Sequence, residues 1–228
     1  QIHMFNPQVV AQIAQENRQC LLNLAAIEDV LNRRFYKMEK QVRALILAVA
    51  SGEPLLLIGP PGTSKSRLIR SFCGCLGLLN VDDITQEHPA YFEYLLTPFT
   101  EPGELFGYYD ISQAQHGKLV RIDKNTMQQA KVVYLDEVFN GSSAILNSLL
   151  AFIQERIFHD RGERKKVAMH CLFGATNQVP ETPELRAVFD RFLLRCQVDN
   201  VDPSPTEVGG LLKTGWMETY TKNSASQR

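Results

Sequence analysis

Leu55-Leu56-Leu57-Ile58-Gly59-Pro60-Pro61-Gly62-Thr63-Ser64-Lys65-Ser66 decides how this 228-residue chain is read. The four apolar residues suit a strand buried on both faces, as in a parallel sheet. A glycine-rich turn follows, and then Lys65-Ser66 opens an apolar-periodic run at Leu68, Ile69, Phe72 and Leu76. Strand, loop and helix in that order are the setting a phosphate-binding loop requires. Gly59 and Gly62 let backbone N–H groups turn inward around phosphate oxygens, and the helix adds the positive end of its dipole. Lys65 is placed to reach the β- and γ-phosphates, and the Ser66 hydroxyl to ligate Mg²⁺. Ser64 stands where G-x-x-x-x-G-K-[ST] has its last glycine. The candidate nucleotide-binding residues are Gly59, Pro60, Pro61, Gly62, Thr63, Ser64, Lys65, Ser66 and Arg67.

A second anchor lies at Lys131-Val132-Val133-Tyr134-Leu135-Asp136-Glu137. It reads as a buried strand ending in adjacent acids, and ligands of open α/β sheets sit outside the carboxyl ends of the strands. Asp136 there can hold Mg²⁺, directly or through water, and Glu137 can polarise a water for in-line attack on phosphorus. Leu172 to Asn177 is another buried strand with a polar end. Asn177 would orient that water or touch the γ-phosphate, or else form an Asx turn or helix cap before Pro180.

The rest of the chain frames these anchors. Its length suits one large α/β domain. Formal net charge is −1, so no basic surplus argues for nucleic acid. No apolar run approaches the roughly 18–20 residues that span a bilayer, and no signal peptide is visible. Residues 1–4 read as an appended tag remnant. Five cysteines, 20, 73, 75, 171 and 196, read as reduced core thiols rather than a disulfide or zinc framework.

Asn6-Pro7 marks a helix start, and apolar residues from Val9 to Leu31 repeat at helical spacing, in one long helix or two joined ones. After a connection at 33–38, a helix carrying Val42, Leu45, Ile46 and Val49 closes at Ser51-Gly52. Tyr91–Thr97 reads as a strand, 100–104 as a break, and 108–130 as a small hairpin or loop insertion. Ser142–Gln154 is an amphipathic helix, 156–170 a β-hairpin with a glycine turn, Glu184–Phe189 a short helix and 193–198 the last strand. Residues 202–206 read as a linker, followed by a helical segment.

With these elements in order, the chain resembles the MoxR branch of AAA+ ATPases, and its RavA subgroup in particular. Gly59–Ser66 is similar to the family's Walker A, where a small residue before the lysine is common, and Val132–Phe139 to its Walker B. Phe99–Gly107, Ser143–Leu150 and Gln154-Glu155-Arg156 are similar to RavA-type segments. Gly174-Ala175-Thr176-Asn177 resembles sensor 1, and Phe189-Asp190-Arg191-Phe192 the arginine-finger segment. The resemblance implies a five-stranded parallel sheet in the order 5-1-4-3-2 flanked by helices, with a helix-2 insert at 107–123 and a pre-sensor-1 hairpin at 156–170. It implies an ATPase core over 5–202 and, over 203–228, the start of a helical lid or a linker, with no sensor-2 residue assigned. It further implies Mg²⁺-dependent ATP hydrolysis in a cytoplasmic homo-oligomer, commonly a hexameric ring, that remodels a partner protein, often one with a von Willebrand A domain. Arg191 would then reach a neighbouring subunit's ATP, with Arg186 the second candidate, and Arg34, Phe35 and Tyr36 would border adenine.

Two other functions compete with this one. A nucleic-acid motor of a neighbouring AAA+ branch would use the basic cluster Arg161, Arg164, Lys165 and Lys166 in the hairpin turn. A nucleotide-gated assembly platform would bind ATP without turnover, against which Glu137 argues.

Overall fold

The computed structural model of the chain describes residues 6–80, 83, 85, 87–160, 163–200 and 204–225, with side chains as far as residue 215. Two joined helices come first, α1 (Pro7–Glu16) and α2 (Arg18–Arg34), with Asn17 between them. The Asn6 side chain caps α1 by accepting from the Gln8 amide, and proline takes the first helical position. Next are α3 (Glu39–Ser51), closed by Gly52 in the left-handed region, then β1 (Leu55–Ile58) and α4 (Lys65–Cys75). After β2 (Tyr91–Leu95) come two short helices, α5 (Pro102–Phe106) and α6 (Ile111–Gln115). The chain continues through β3 (Val132–Asp136), a 3₁₀ turn at Val138–Asn140 and α7 (Ser143–Glu155). Strands β4 (Ile157–Asp160) and β5 (Glu163–Lys166) form an antiparallel hairpin. The last elements are β6 (Cys171–Thr176), α8 (Pro183–Phe189), β7 (Leu194–Gln197) and α9 (Pro205–Ala225).

Five strands make one parallel sheet in the order β2-β3-β6-β1-β7. Counted within this sheet alone, that is 5-1-4-3-2 read from the other edge. Because side chains alternate along a strand, each central strand feeds two cores. Leu55, Leu57, Tyr134, Phe173 and Ala175 face α2, α3 and α4, where Leu31, Val42, Leu45, Leu68 and Phe72 close the first core. Leu56, Ile58, Val133, Leu135 and Leu172 face the second, filled by Phe106, Ile145, Leu149, Phe152, Phe158 and Phe192. At Gly174 the sheet and this second core press close together: a Cβ there would come within 2.9 Å of the Phe192 ring. The ladder places the ends of β1, β3 and β6 side by side, since Ile58 pairs with Thr176 and Leu135 with Gly174. The loops leaving these three strands share one edge.

Several expectations are corrected. The break at 100–104 is the start of α5, whose capping box pairs Glu101 with Glu104. The hairpin or loop expected over 108–130 contains α6, and only Tyr109 and Arg121 bridge there in antiparallel fashion. All five cysteines are free, but Cys20 and Cys75 are exposed; only Cys73 and Cys171 are buried, and burial pushes the Cys171 thiol up to about 11. Residues 1–4, Arg161 and the hairpin-turn Gly162 lie outside the described residues. No helix among the described residues is long and apolar enough to cross a membrane.

The segment 107–123 is fastened to the hairpin by one carboxylate. Asp160, only 7% exposed, accepts from Arg121 Nε at 3.2 Å and Nη2 at 3.1 Å, from the Tyr109 hydroxyl at 3.1 Å, and from Lys165 Nζ at 2.9 Å. The Arg121 guanidinium also lies 4.4 Å from the Tyr109 ring centroid. Burial raises the Asp160 carboxyl, but the bonds from Lys165 and Arg121 outweigh it and hold the group below the usual aspartate range. Lys165, one of the basic residues considered for nucleic acid, is thus committed to an internal partner.

Candidate functional site

The loop Gly59–Ser64 bends directly off β1. Gly59 donates its amide to the Thr176 carbonyl at 3.0 Å and approaches β7 so closely that a Cβ would meet the Val198 carbonyl oxygen at 2.0 Å. Only glycine fits there. Ser64 has φ of 62°, the left-handed region that favours glycine, so the serine holds a glycine conformation at some backbone cost.

Lys65 is 6% exposed and folds back over this loop. Its ammonium donates to the Gly59 carbonyl at 2.7 Å, the Pro60 carbonyl at 2.9 Å and Thr63 Oγ1 at 3.4 Å. An ammonium carries three donors, and the loop engages all of them. Burial lowers the Lys65 pKa, while the nearby Asp136 and Glu137 carboxylates raise it; the net direction is down.

Those two acids stand at the end of β3, beside the loop. Asp136 Oδ1 accepts from the Glu137 amide at 3.0 Å, which fixes the carboxylate's orientation. Glu137 is a left-handed corner with φ of 50° and ψ of 47°, turning the chain from the strand into the 3₁₀ turn. Burial and then the Asp136 charge raise its pKa, the Lys65 ammonium and the nearby Asn177 amide pull it down, and the balance is upward. Lys65, Asp136, Glu137 and Asn177 therefore form one cluster at three adjacent strand ends. A partly buried carboxylate of raised pKa, held by a donor and facing a cation, has the properties of a general base.

Magnesium fits the oxygen donors present. Ser66 supplies a hydroxyl in the first turn of α4 and Asp136 a carboxylate, both hard ligands of the kind Mg²⁺ takes one or two of alongside phosphate and water. No group of three or more His, Cys, Asp or Glu side chains that could hold a metal occurs among the described residues.

Beside the loop opens a cleft of ≈ 1020 Å³. Gly62, Thr63, Ser64 and Arg67 line one part of it and Arg34, Phe35 and Tyr36, the stretch expected to border adenine, another. Leu211 and Thr214 of α9 line a third part. That helix is held by Lys37 against Glu207 at 2.6 Å, and by Tyr36, whose ring lies where a Cβ on Gly210 would stand.

Arg191 is placed differently. It is exposed, just past α8, and its Nε and Nη2 lie 2.7 and 2.8 Å from the Gln154 amide oxygen once that amide is oriented with its oxygen toward the guanidinium. Gln154 thereby occupies one side of the guanidinium. Phe189 packs on Phe139 of the 3₁₀ turn at 6.2 Å between centroids, which links the Arg191 segment to the corner at Glu137. Arg186 is exposed in the last turn of α8. Two residues of this region escape a reading of the sequence. Gln154 lies on the polar side of α7, and nothing local marks it as a partner for Arg191. Gln41 is a buried amide in line with Leu45 and Ala48 on α3, and a polar residue within an apolar stripe is a signal that could have been noticed.

Residues 22–228 match the family described as bpMoxR, the MoxR domain in the MoxR-vWA-beta-propeller ternary systems. Two uncharacterised proteins of Methanocaldococcus jannaschii are each 36% identical to the chain over 173 residues, 75% of this chain and 43% of theirs. A structural protein of Acidianus two-tailed virus is 30% identical over 168 residues, 70% of this chain and 26% of the viral one. The chain thus spans less than half the length of these relatives. Among solved structures, a candidate ATPase of Cytophaga hutchinsonii is similar with a TM-score of 0.63 and 16% identity, covering 90% of this chain and 58% of that one. NtrX of Brucella abortus is similar with a TM-score of 0.56 and 17% identity, covering 93% and 48%. At those identities the likeness is one of fold, an α/β domain around a parallel sheet. The family match, by contrast, runs through the phosphate loop, the acid pair and the segment of Arg191 alike, and on that ground the chain belongs to the MoxR family of AAA+ ATPases.

Proposed function

We propose that this domain hydrolyses ATP with Mg²⁺ and uses the turnover to remodel a partner protein. The observation that carries the reading is the cluster of Lys65, Asp136, Glu137 and Asn177 at three neighbouring strand ends, with Glu137 raised in pKa and the Asn177 amide beside it. On this reading residues 59–67 cradle the phosphates, and Lys65 exchanges its loop carbonyls for phosphate oxygens. Ser66 and Asp136 hold Mg²⁺, which when bound offsets charge on the β- and γ-phosphates. Glu137 takes a proton from the attacking water, whose position Asn177 fixes. Arg191 serves a neighbouring copy's nucleotide in a ring, which we take to be hexameric. Gln154 covers one side of its guanidinium, and a phosphate would approach from another.

Residues 5–202 form the ATPase core, and 203–228, including α9, begin the lid that closes the cleft. The family description names systems that pair this domain with vWA and beta-propeller components, so a von Willebrand A domain is the partner class we favour, in the cytoplasm. The test is phosphate release with Mg²⁺ and ATP by the wild type and Glu137→Gln. Loss of a general base predicts a fall of about 10²-fold or more with ATP affinity retained. Turnover that survives the substitution removes Glu137 from the base role.

A further inference from the structure

We propose that Gln41 selects the base of the nucleotide by accepting a hydrogen bond from the 6-amino group of adenine. The proposal rests on the nucleotide reading of the cleft and deepens it.

Gln41 lies in the first turn of α3, is 8% exposed, and lines the same cleft as Phe35, Tyr36 and the loop residues Gly62–Ser64. Its amide has one possible orientation. One end faces the Gln197 carbonyl oxygen at 2.6 Å. A carbonyl only accepts, so the atom facing it must be the donor Nε2. Oε1 is therefore fixed by its neighbour, and among the described residues it has no hydrogen-bond partner and is shut off from solvent. A buried acceptor without a donor is uncommon in folded proteins and calls for an explanation.

The anchoring carbonyl is also well placed. Gln197 pairs with Ile58, the residue before the loop begins, and the next residue, Val198, donates to the Ile58 carbonyl at 2.7 Å. The side chain that carries the orphaned oxygen is thus anchored to the frame that carries the phosphate loop, and it lines the same cleft as residues 34–36. A base seated there reaches Oε1 by displacing the side chains that cover it, and gains a bond the free chain does not make.

Purine chemistry narrows the occupant. Adenine presents an N–H donor at position 6. Guanine presents a carbonyl oxygen there, which would set acceptor against acceptor, and unsubstituted purine presents only C–H. A site built around a buried hydrogen-bonding group rejects an analogue lacking the complementary group more strongly than an apolar pocket rejects a missing methylene.

The experiment is titration calorimetry of the full chain with ATP, GTP and purine riboside 5′-triphosphate, each with Mg²⁺, for the wild type and Gln41→Met. The wild type is expected to bind ATP about 10- to 100-fold more tightly than the purine analogue. In Gln41→Met that ratio should fall to about twofold or less, because the lost amide cannot tell the two ligands apart. Comparing two ligands within each protein cancels any general weakening of the cleft. A wild-type ratio near one overturns the proposal without any variant, and so does a ratio unchanged by Gln41→Met. Failure of the wild type to bind any of the three overturns the nucleotide reading itself, which is a different result from binding without discrimination.

Discussion

Replacing Asp160 by alanine should release segment 107–123 from the hairpin while the sheet stays folded. The charge-assisted pair of bonds from Arg121 to Asp160 is mostly buried, with the Arg121 side chain 17% exposed, and contributes about 1.5–3 kcal/mol. The Tyr109 hydroxyl adds about 1 kcal/mol. Lys165 is 54% exposed, so solvent screens its share and it adds little. The sum is about 3 kcal/mol, or about 100-fold in a local opening equilibrium. The reporters are amides that hold the segment together: Asp110, which donates to the Val120 carbonyl at 2.7 Å, and Ile122, which donates to the Tyr108 carbonyl at 2.8 Å. Hydrogen exchange at both should quicken by about two orders of magnitude in Asp160→Ala, with amides of β1, β3 and β6 unaffected. The same latch sets a pH dependence. Because the folded Asp160 pKa is depressed, its stabilisation is present above the unfolded value of about 3.9 and is lost as pH falls through the folded value. Unchanged protection of Asp110 and Ile122 in the variant would refute the idea that this carboxylate fastens the two segments.

Three further outcomes are expected. Ser64→Gly removes a side chain from a left-handed position and should stabilise the chain by up to about 1 kcal/mol in urea titrations, the relieved strain being partly offset by greater freedom of the unfolded glycine; a loss of stability would count against strain at Ser64. If Gln154 acts only by orienting Arg191, then Gln154→Ala should lower kcat with little change in KM, and the double variant with Arg191→Ala should be no slower than Arg191→Ala alone; additive losses would separate the two residues. Because burial and the Asp136 charge raise the Glu137 pKa, its carboxyl should titrate above the ordinary glutamate range in the protein free of nucleotide and metal, followed by NMR, and Asp136→Asn, which removes one of the charges raising it, should displace that midpoint to lower pH; an upward displacement would contradict the electrostatics described.

Much of the sheet was legible because its signals are local. Leu55–Ile58 and Val132–Leu135 are short unbroken apolar runs followed by a glycine turn or an acid pair, and both the buried strands and the positions of Lys65, Asp136 and Glu137 follow from that pattern. The capped ends of α1 and α3 were legible for the same reason, through Asn6-Pro7 and Gly52. Helices α5 and α6 were not, because five residues make less than two turns and show no periodicity. The exposure of Cys20 and Cys75 was hidden because each follows apolar-periodic positions without being on the face that packs. The contacts of Arg191 with Gln154 and of Gln41 with Gln197 depend on how separate elements dock, and their separations of 37 and 156 residues put them beyond any local pattern.

The approach of Gly59 to Val198 leaves the phosphate loop no slack against the last strand. A carbonyl oxygen occupies the place of a Cβ, the Ile58 carbonyl is gripped by the Val198 amide, and α9 begins seven residues beyond Val198. The first residue of the loop and the end of β7 are therefore one unit, locked by contact and by hydrogen bond. A shift of the loop toward β7 has to be answered at Val198, because compression of a contact already at its limit is the only alternative. Occupancy of the loop would then be felt at the end of β7 by direct contact, with no relay of intervening side chains.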